Sequence, residues 1–275
     1  MAKKPVTKKK RTYNVDELRA YKEAYGGTLG VRDHIFFIAV PGLMFGILSF
    51  LLLYNGWVSA AVLLYCGIYG FRKLMPLAVK KNYEANAFNE RNKFLNNITQ
   101  VLTDESQTVP MALKKVTPRS QGEFQEDIQR FHALIVGADQ ERLRTATRWF
   151  ADRYEDDVIF IQYIEQLETA MLEGKTNVDT LKDIKTYHND IRKKQDFYEA
   201  RKNGHLTDMK QLVLITAILV IALAVSFGFD VYLEAFARHI IGYITSAIYL
   251  LIMWGFFKKF VSYLFDDSVM EIRAK

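Results

Sequence analysis

Few side chains in this 275-residue chain sit at spacings that do chemistry. The five histidines are His34, His132, His188, His205 and His239. A helical zinc site needs ligands three or four positions apart, as in His-Glu-x-x-His, and no two of these histidines are so placed. His188 lies two residues from Asp190, but residues two apart on a helix point in different directions. The sequence therefore reads His188 as a solvated side chain. A single cysteine, Cys66, excludes an intrachain disulfide and a multi-cysteine zinc site. It lies in an uncharged run, where a small apolar role suits it better than reactivity. Neither a phosphate-binding Gly-x-x-x-x-Gly-Lys loop nor a dinucleotide Gly-x-Gly-x-x-Gly turn occurs. The expectation is a protein with no catalytic residue, no metal, no cofactor and no enzymatic activity.

Charged side chains on surfaces are the remaining candidates. Glu165, Glu168, Asp179 and Asp183 are acidic at helical spacing beside an apolar stripe and form a candidate partner-binding face. Lys3, Lys4, Lys8, Lys9, Lys10 and Arg11 form a basic tail. Near an anionic leaflet each such charge contributes about 1 kcal/mol. A nucleic-acid tail has the same composition, but tethering to a membrane favours lipid.

The elements that position these groups follow from where charge is missing. Half of the residues are apolar, a quarter are charged, the net charge is +6, and the mean hydropathy of −0.04 averages two kinds of segment. Residues 35–54, 57–71, 212–229 and 240–257 carry no charge. Twenty helical residues span roughly 30 Å, the thickness of the hydrocarbon core. The alternative, buried core helices of a soluble protein, fits uncharged runs of this length poorly. Basic residues flank the runs on one side: Arg72, Lys73, Lys80, Lys81, Lys202, Lys210, Lys258 and Lys259. This places both termini and the long middle segment in the cytoplasm and the two short connectors outside. The runs hold no Asp, Glu, Lys, Arg or His, which argues against an ion-coupled carrier. Small residues recur at helix-packing spacing, at Gly42 and Gly46, Ala222 and Ser226, and Gly242 and Ser246.

Residues 80–211 read as six amphipathic helices. The first covers about 83–103 with Phe94, Leu95, Ile98, Val101 and Leu102. A short one opens at Pro110, a good first-turn residue. The third presents Phe124, Ile128, Phe131 and Ile135 and ends at Gly137. The fourth opens at Asp139 and presents Leu143, Ala146, Phe150 and Tyr154. Asp156 and Asp157 are N-cap candidates for the fifth, which presents Ile161, Ile164, Leu167 and Met171 and stops at Gly174. Asn177 caps the sixth, with Leu181, Ile184, Tyr187 and Ile191. It runs toward residue 202, where Gly204 offers a bend before the third apolar run. The fold class is thus an all-α integral membrane protein, four transmembrane helices with a cytoplasmic six-helix bundle between the second and third. Its segments are a basic N-terminal segment (1–34), a transmembrane hairpin (35–79), the bundle (80–211), a second hairpin (212–257) and a tail (258–275).

This order of elements resembles the TadB/TadC-type members of the GspF family, inner-membrane platform proteins of type II secretion and type IV pilus machines. The similar stretch runs from about Phe94 to Phe257. FLNNITQVLTDESQTVPMALKKV, with Ala112 and Leu113, is similar to the family's opening helix, turn and "AL" helix. FIQYIEQLETAMLEGKTNVDTLKDIKTYHNDIRKKQDFYEARK is similar to its later helix, glycine turn, leucine-anchored helix and basic run, here at Gly174, Asn177, Leu181, Ile184, Ile191 and Arg192. The chain departs from the pattern at Glu105-Ser106-Gln107-Thr108, where an Ala-Gly turn is common, and at Asp230-Val231-Tyr232, where proline is common. It also carries one copy of the bundle, not two. The resemblance implies a platform that couples a hexameric secretion ATPase to pilin or pseudopilin transmembrane helices, with a paralogous platform protein or a second copy as neighbour and anionic lipids around it. A membrane-anchored scaffold of another secretion or conjugation apparatus shares the topology without the filament.

Overall fold

The computed structural model describes residues 15–265, and every regular element among them is helical. The helices are α1 (Val15–Glu23), α2 (Val31–Leu53), α3 (Gly56–Tyr69), α4 (Met75–Leu102), α5 (Val109–Val116), α6 (Gly122–Ile135), α7 (Gln140–Asp152), α8 (Val158–Glu173), α9 (Val178–Phe227), α10 (Phe229–Tyr232) and α11 (Ile240–Leu264). Local chemistry starts and stops many of them. Side-chain oxygens of Asn55, Asp139, Asp157 and Asn177 accept main-chain N–H groups from the first turns of α3, α7, α8 and α9. Each such cap is worth about 1 kcal/mol. Gly174 ends α8 at φ +67°, a left-handed conformation that costs glycine no steric strain.

Among the described residues, four helical stretches are long and apolar enough to cross a bilayer: Val31–Leu53, Gly56–Leu102, Val178–Phe227 and Ile240–Leu264. Helix α2 is their hub. On one side it packs tightly on α3, because glycines allow close approach. A Cβ on Gly42 would lie 3.0 Å from the Leu63 carbonyl oxygen, and one on Gly46 would lie 2.9 Å from Leu63 Cβ. On the other side the Phe45 ring meets Trp254 and Phe257 of α11 edge-on, with centroids 5.3 and 5.4 Å away. Tyr232 donates to the Leu51 carbonyl at 2.8 Å, and the hydroxyls of Thr216 and Tyr249 pair at 2.9 Å.

The charged residues gather around a separate core. The later turns of α4, helices α5 to α8 and the first turns of α9 enclose Phe94, Leu113, Phe124, Phe131, Phe150, Phe160, Tyr163 and Leu167, all fully buried. The Phe131 and Phe150 rings stack at 4.6 Å, and the buried Tyr163 hydroxyl is satisfied by Thr99 at 2.7 Å. Aromatic pairs of this kind contribute about 0.5–1.5 kcal/mol beyond burial.

The structure corrects three expectations. There is no separate helix beginning near residue 83: α3 passes through a π turn, Gly70–Leu74, directly into α4. Pro76 has no N–H, so the carbonyl four residues back loses its α-helical donor. The ladder changes register there, and Met75 N–H reaches back five residues to Gly70. Nor does the sixth helix end near residue 202, since α9 runs through Gly204 as one helix of 50 residues. A helical glycine costs about 1 kcal/mol relative to alanine, but it bends a helix only where some contact rewards the bend. Finally, Tyr187 is 56% exposed and His188 is fully buried in its place. The inward row of α9 is Leu181, His188 and Ile191, all buried, with Ile184 half-buried beside them.

Candidate functional site

Two long helices leave the apolar layer and enter the charged body, and a densely bonded polar cluster lies where they meet. On α4 it comprises Phe88, Arg91, Asn92 and Asn96, and on α9 His188, Asn189 and Arg192. Asp157 joins them from the turn before α8.

Asn92 is the centre, with its side chain almost completely buried. Its Oδ1 accepts from Arg192 Nη1 at 3.0 Å. Its Nδ2 faces His188 Nδ1 at 2.9 Å and donates to Asn189 Oδ1 at 2.8 Å. Asn96 and Asn189 exchange amide bonds at 2.9 and 3.0 Å, and Asn96 Nδ2 also donates to the Asn92 main-chain carbonyl at 2.7 Å. Asparagine supplies both a donor and an acceptor, so three amides close a ladder between two helices without a net charge. A buried amide left unpaired would cost about 1–3 kcal/mol, and the ladder leaves none of the three unpaired.

His188 turns this ladder toward Asp157. Its ring stacks on Phe88 at 4.5 Å with an interplanar angle of 14°, and its Nε2 lies 3.3 Å from Asp157 Oδ2. Asp157 also receives Arg91 Nε at 2.7 Å and the Phe160 main-chain N–H at 3.1 Å. Burial alone would raise its carboxyl, but the bond from His188 and the Arg91 guanidinium outweigh burial and hold it at about 2. One carboxylate therefore caps α8 and ties it to both α4 and α9.

A second polar group continues toward the N-terminal helix. Asp127 accepts from Arg153 Nε and the Tyr154 hydroxyl, both at 2.7 Å, and Glu123 accepts from Arg153 and Tyr83. The Glu123 N–H donates to the Ala24 carbonyl at 2.9 Å, while Tyr21 and Tyr25 pack on Tyr83. Burial pushes the Tyr25 phenol up to about 12. Nearer the apolar layer, Lys81 Nζ bridges Glu199 of α9 at 2.7 Å and the Leu264 carbonyl of α11 at 3.3 Å.

The candidate residues of the sequence are spread more widely. Glu165 is exposed, and Glu168 is half-buried with Arg144 of α7 at 3.9 Å. Asp179 is exposed and pairs with Lys182 in its own helix at 3.3 Å, and Asp183 is exposed. Gly42 and Gly46 face α3 as described, whereas Gly242 lies against the carbonyl of Phe236 in the preceding turn. Ser246 is buried, and Ala222 and Ser226 lie exposed on α9. Lys3, Lys4, Lys8, Lys9, Lys10 and Arg11 fall outside the described residues. Among the described residues no three His, Cys, Asp or Glu side chains gather as metal ligands. Sequence reasoning missed the central cluster and misread His188 as solvated. The available signal was the spacing 181, 184, 188, 191, which puts a histidine in an apolar row.

No protein-family model and no solved structure matches the chain. It is similar to an uncharacterized protein of Bacillus anthracis, pXO2-23: 49% of residues are identical over 268 positions, covering 98% of this chain and 97% of the relative.

Proposed function

This chain belongs to the same family as the uncharacterized Bacillus anthracis protein, and on that premise we propose that its members are membrane platforms, which pass movement between a cytoplasmic body of six helices and the bilayer. In this reading the charged body meets a hexameric secretion ATPase, and the apolar helices meet the transmembrane segments of pilin-like subunits and a neighbouring platform subunit in an inner or plasma membrane rich in anionic lipid. The termini and the body lie in the cytoplasm, with the 55–56 and 230–239 connectors outside.

The observation that carries the proposal is the continuity of the two long helices. Residues Gly56–Leu102 and Val178–Phe227 each run from the apolar layer into the body without a loop. The amides of Asn92, Asn96 and Asn189 with His188 and Arg192 clasp them together. A hinged connector would absorb a displacement of the body, whereas a clasped helix pair delivers it to the membrane. The resemblance of the sequence to the TadB/TadC-type platforms points to the same reading.

The test is cross-linking in living cells, followed by purification of the full chain from membranes. Recovery of a secretion-type ATPase together with prepilin-like subunits supports the platform. Recovery of another export or conjugation apparatus without them replaces it with the scaffold reading. A chain that cross-links only to itself overturns both. Reporter fusions at 56 and 235 should read outside and those at 150 and 275 inside, and an inside reading at 235 breaks the four-span topology.

A further inference from the structure

The amide ladder has a direction, and that direction dictates the protonation state of His188. Arg192 has only donors, so the Asn92 oxygen must face it. The Asn92 amino group then faces His188 Nδ1, which must accept. The ring proton must sit on Nε2, where it points at Asp157 Oδ2. The other end of the ladder is fixed as well. Asn96 Nδ2 donates to the main-chain carbonyl of Asn92, which can only accept, and this orients Asn96 and hence Asn189.

A second proton on His188 has no place in this arrangement. It would put an N–H at Nδ1, opposite the Asn92 amino group. Flipping Asn92 would supply an acceptor, but it would turn the amino group toward Arg192 and set two oxygens, of Asn92 and Asn189, against each other. Flipping Asn189 in turn is blocked by Asn96. The charged groups reaching His188 are Asp157 ahead of α8, Arg91 on α4 and Arg192 on its own helix. Asp157 favours a cationic ring, and the two arginines oppose it. The bond to Asp157 survives protonation, because Nε2 donates in either state. The hydrogen bond that a second proton breaks directly, Asn92 Nδ2 to His188 Nδ1, joins α4 to α9, and the displaced Asn92 amide carries the bonds with Arg192 and Asn189, while the Asn96–Asn189 pair is not touched.

We propose that His188 is a proton-sensitive latch: neutral, it holds α4 and α9 together, and protonated, it opens the Asn92–Arg192–Asn189 clasp while α8 stays capped. The inference does not depend on the platform reading. It needs only that the two helices move apart locally when His188 takes up a second proton.

The experiment is hydrogen exchange on the full chain in lipid nanodiscs at pH 7.5 and 5.5, corrected for intrinsic rates. In the wild type, residues 185–195 should exchange roughly tenfold faster or more at pH 5.5, as the loss of two buried hydrogen bonds implies, while residues 160–170 stay protected. His188→Gln should remove the pH effect. Asn92→Asp should reverse the direction of the pH effect: its carboxylate meets the Asn189 oxygen at both pH values, a cost that cancels in the comparison, but it accepts from Arg192 and from the ring only when the ring is protonated, so the clasp is tighter at pH 5.5 than at 7.5. If His188→Gln keeps the wild-type acid response, another group carries it and the latch is wrong. If His188→Gln does not fold, the Asn92→Asp reversal decides alone, and an unreversed response rejects the proposal.

Discussion

The two long helices are built for the same crossing in different ways. Within its apolar stretch, the α3–α4 helix buries a third of the residues against the rest of the molecule, and α9 buries only 6%. The first is locked to α2 by Gly42 and Gly46 and interrupted by a π turn at Gly70–Leu74. The second is uninterrupted over 50 residues and meets its neighbours in the apolar layer through few contacts, the Thr216–Tyr249 bond among them. One helix is therefore fixed at both ends, the other chiefly at the charged end. The contrast separates two means of holding a helix: shape fit among glycines where lipid offers no hydrophobic drive between helices, and directed hydrogen bonds where water competes.

Removing the group shared by both helices should have the largest effect. Asp157→Ala strips Arg91 and His188 of their acceptor and uncaps α8. Breaking a buried pair this way costs about 3–5 kcal/mol, so the body should melt far earlier in thermal unfolding monitored by circular dichroism. Acid should do part of the same. The Asp157 carboxyl sits at about 2 in the fold, below its ordinary 3.8, so it stabilises the fold above pH 4 and that contribution, about 2 kcal/mol, is lost as pH falls from 4 toward 2. Denaturant midpoints across that range should drop more steeply in the wild type than in Asp157→Asn.

Gly70→Ala tests the shape fit alone. Its Cβ would collide with the main-chain carbonyl of Phe37, which has no rotamer to yield. A loss of about 1–3 kcal/mol is expected, read as earlier unfolding of the full chain in detergent with the spectrum of the body unchanged. Asn92→Ala tests the clasp and should cost about 1–2 kcal/mol, confined to exchange on α9. The smallest effect belongs to the exposed helix. Gly204 has no atom within 4 Å of an added Cβ, so Gly204→Ala should stabilise by about 0.5–1 kcal/mol. A destabilised variant would show that α9 bends there in solution.

Local features were legible in the sequence. The caps at Asp139, Asp157 and Asn177 and the stop at Gly174 act within a few residues of themselves, and the apolar runs announce themselves by length. The rows at Phe124, Ile128, Phe131 and Ile135 and at Leu143, Ala146 and Phe150 are buried as their spacing predicts. The cluster was not legible, because its partners lie up to 100 residues apart. Asparagines at 92, 96 and 189 look like ordinary surface polar residues until a second helix supplies their complements. Tyr187 was placed inside because it is apolar and large, yet it lies about 100° from His188 on the helix, and the aligned Asn92 and Asp157 favour the imidazole. The π turn left only an indirect trace, Pro76 within a pattern that otherwise continues.

The π turn also carries a message at the level of the gene. It adds one residue to the helix, and each helical residue turns the chain by about 100°, so the angular distance from Gly70, pressed on α2, to Asn92, pressed on α9, is counted in codons. Loss of a single codon between them would swing Asn92 away from Arg192 with no substitution at either site. Loss of seven would turn it by only about 20° but would shorten the span by roughly 10 Å. That stretch should therefore resist changes of length even where its individual side chains make no contact. A scan of single-codon deletions across residues 71–91 would map the resistance, and free tolerance there would mean that the two contacts turn independently of each other.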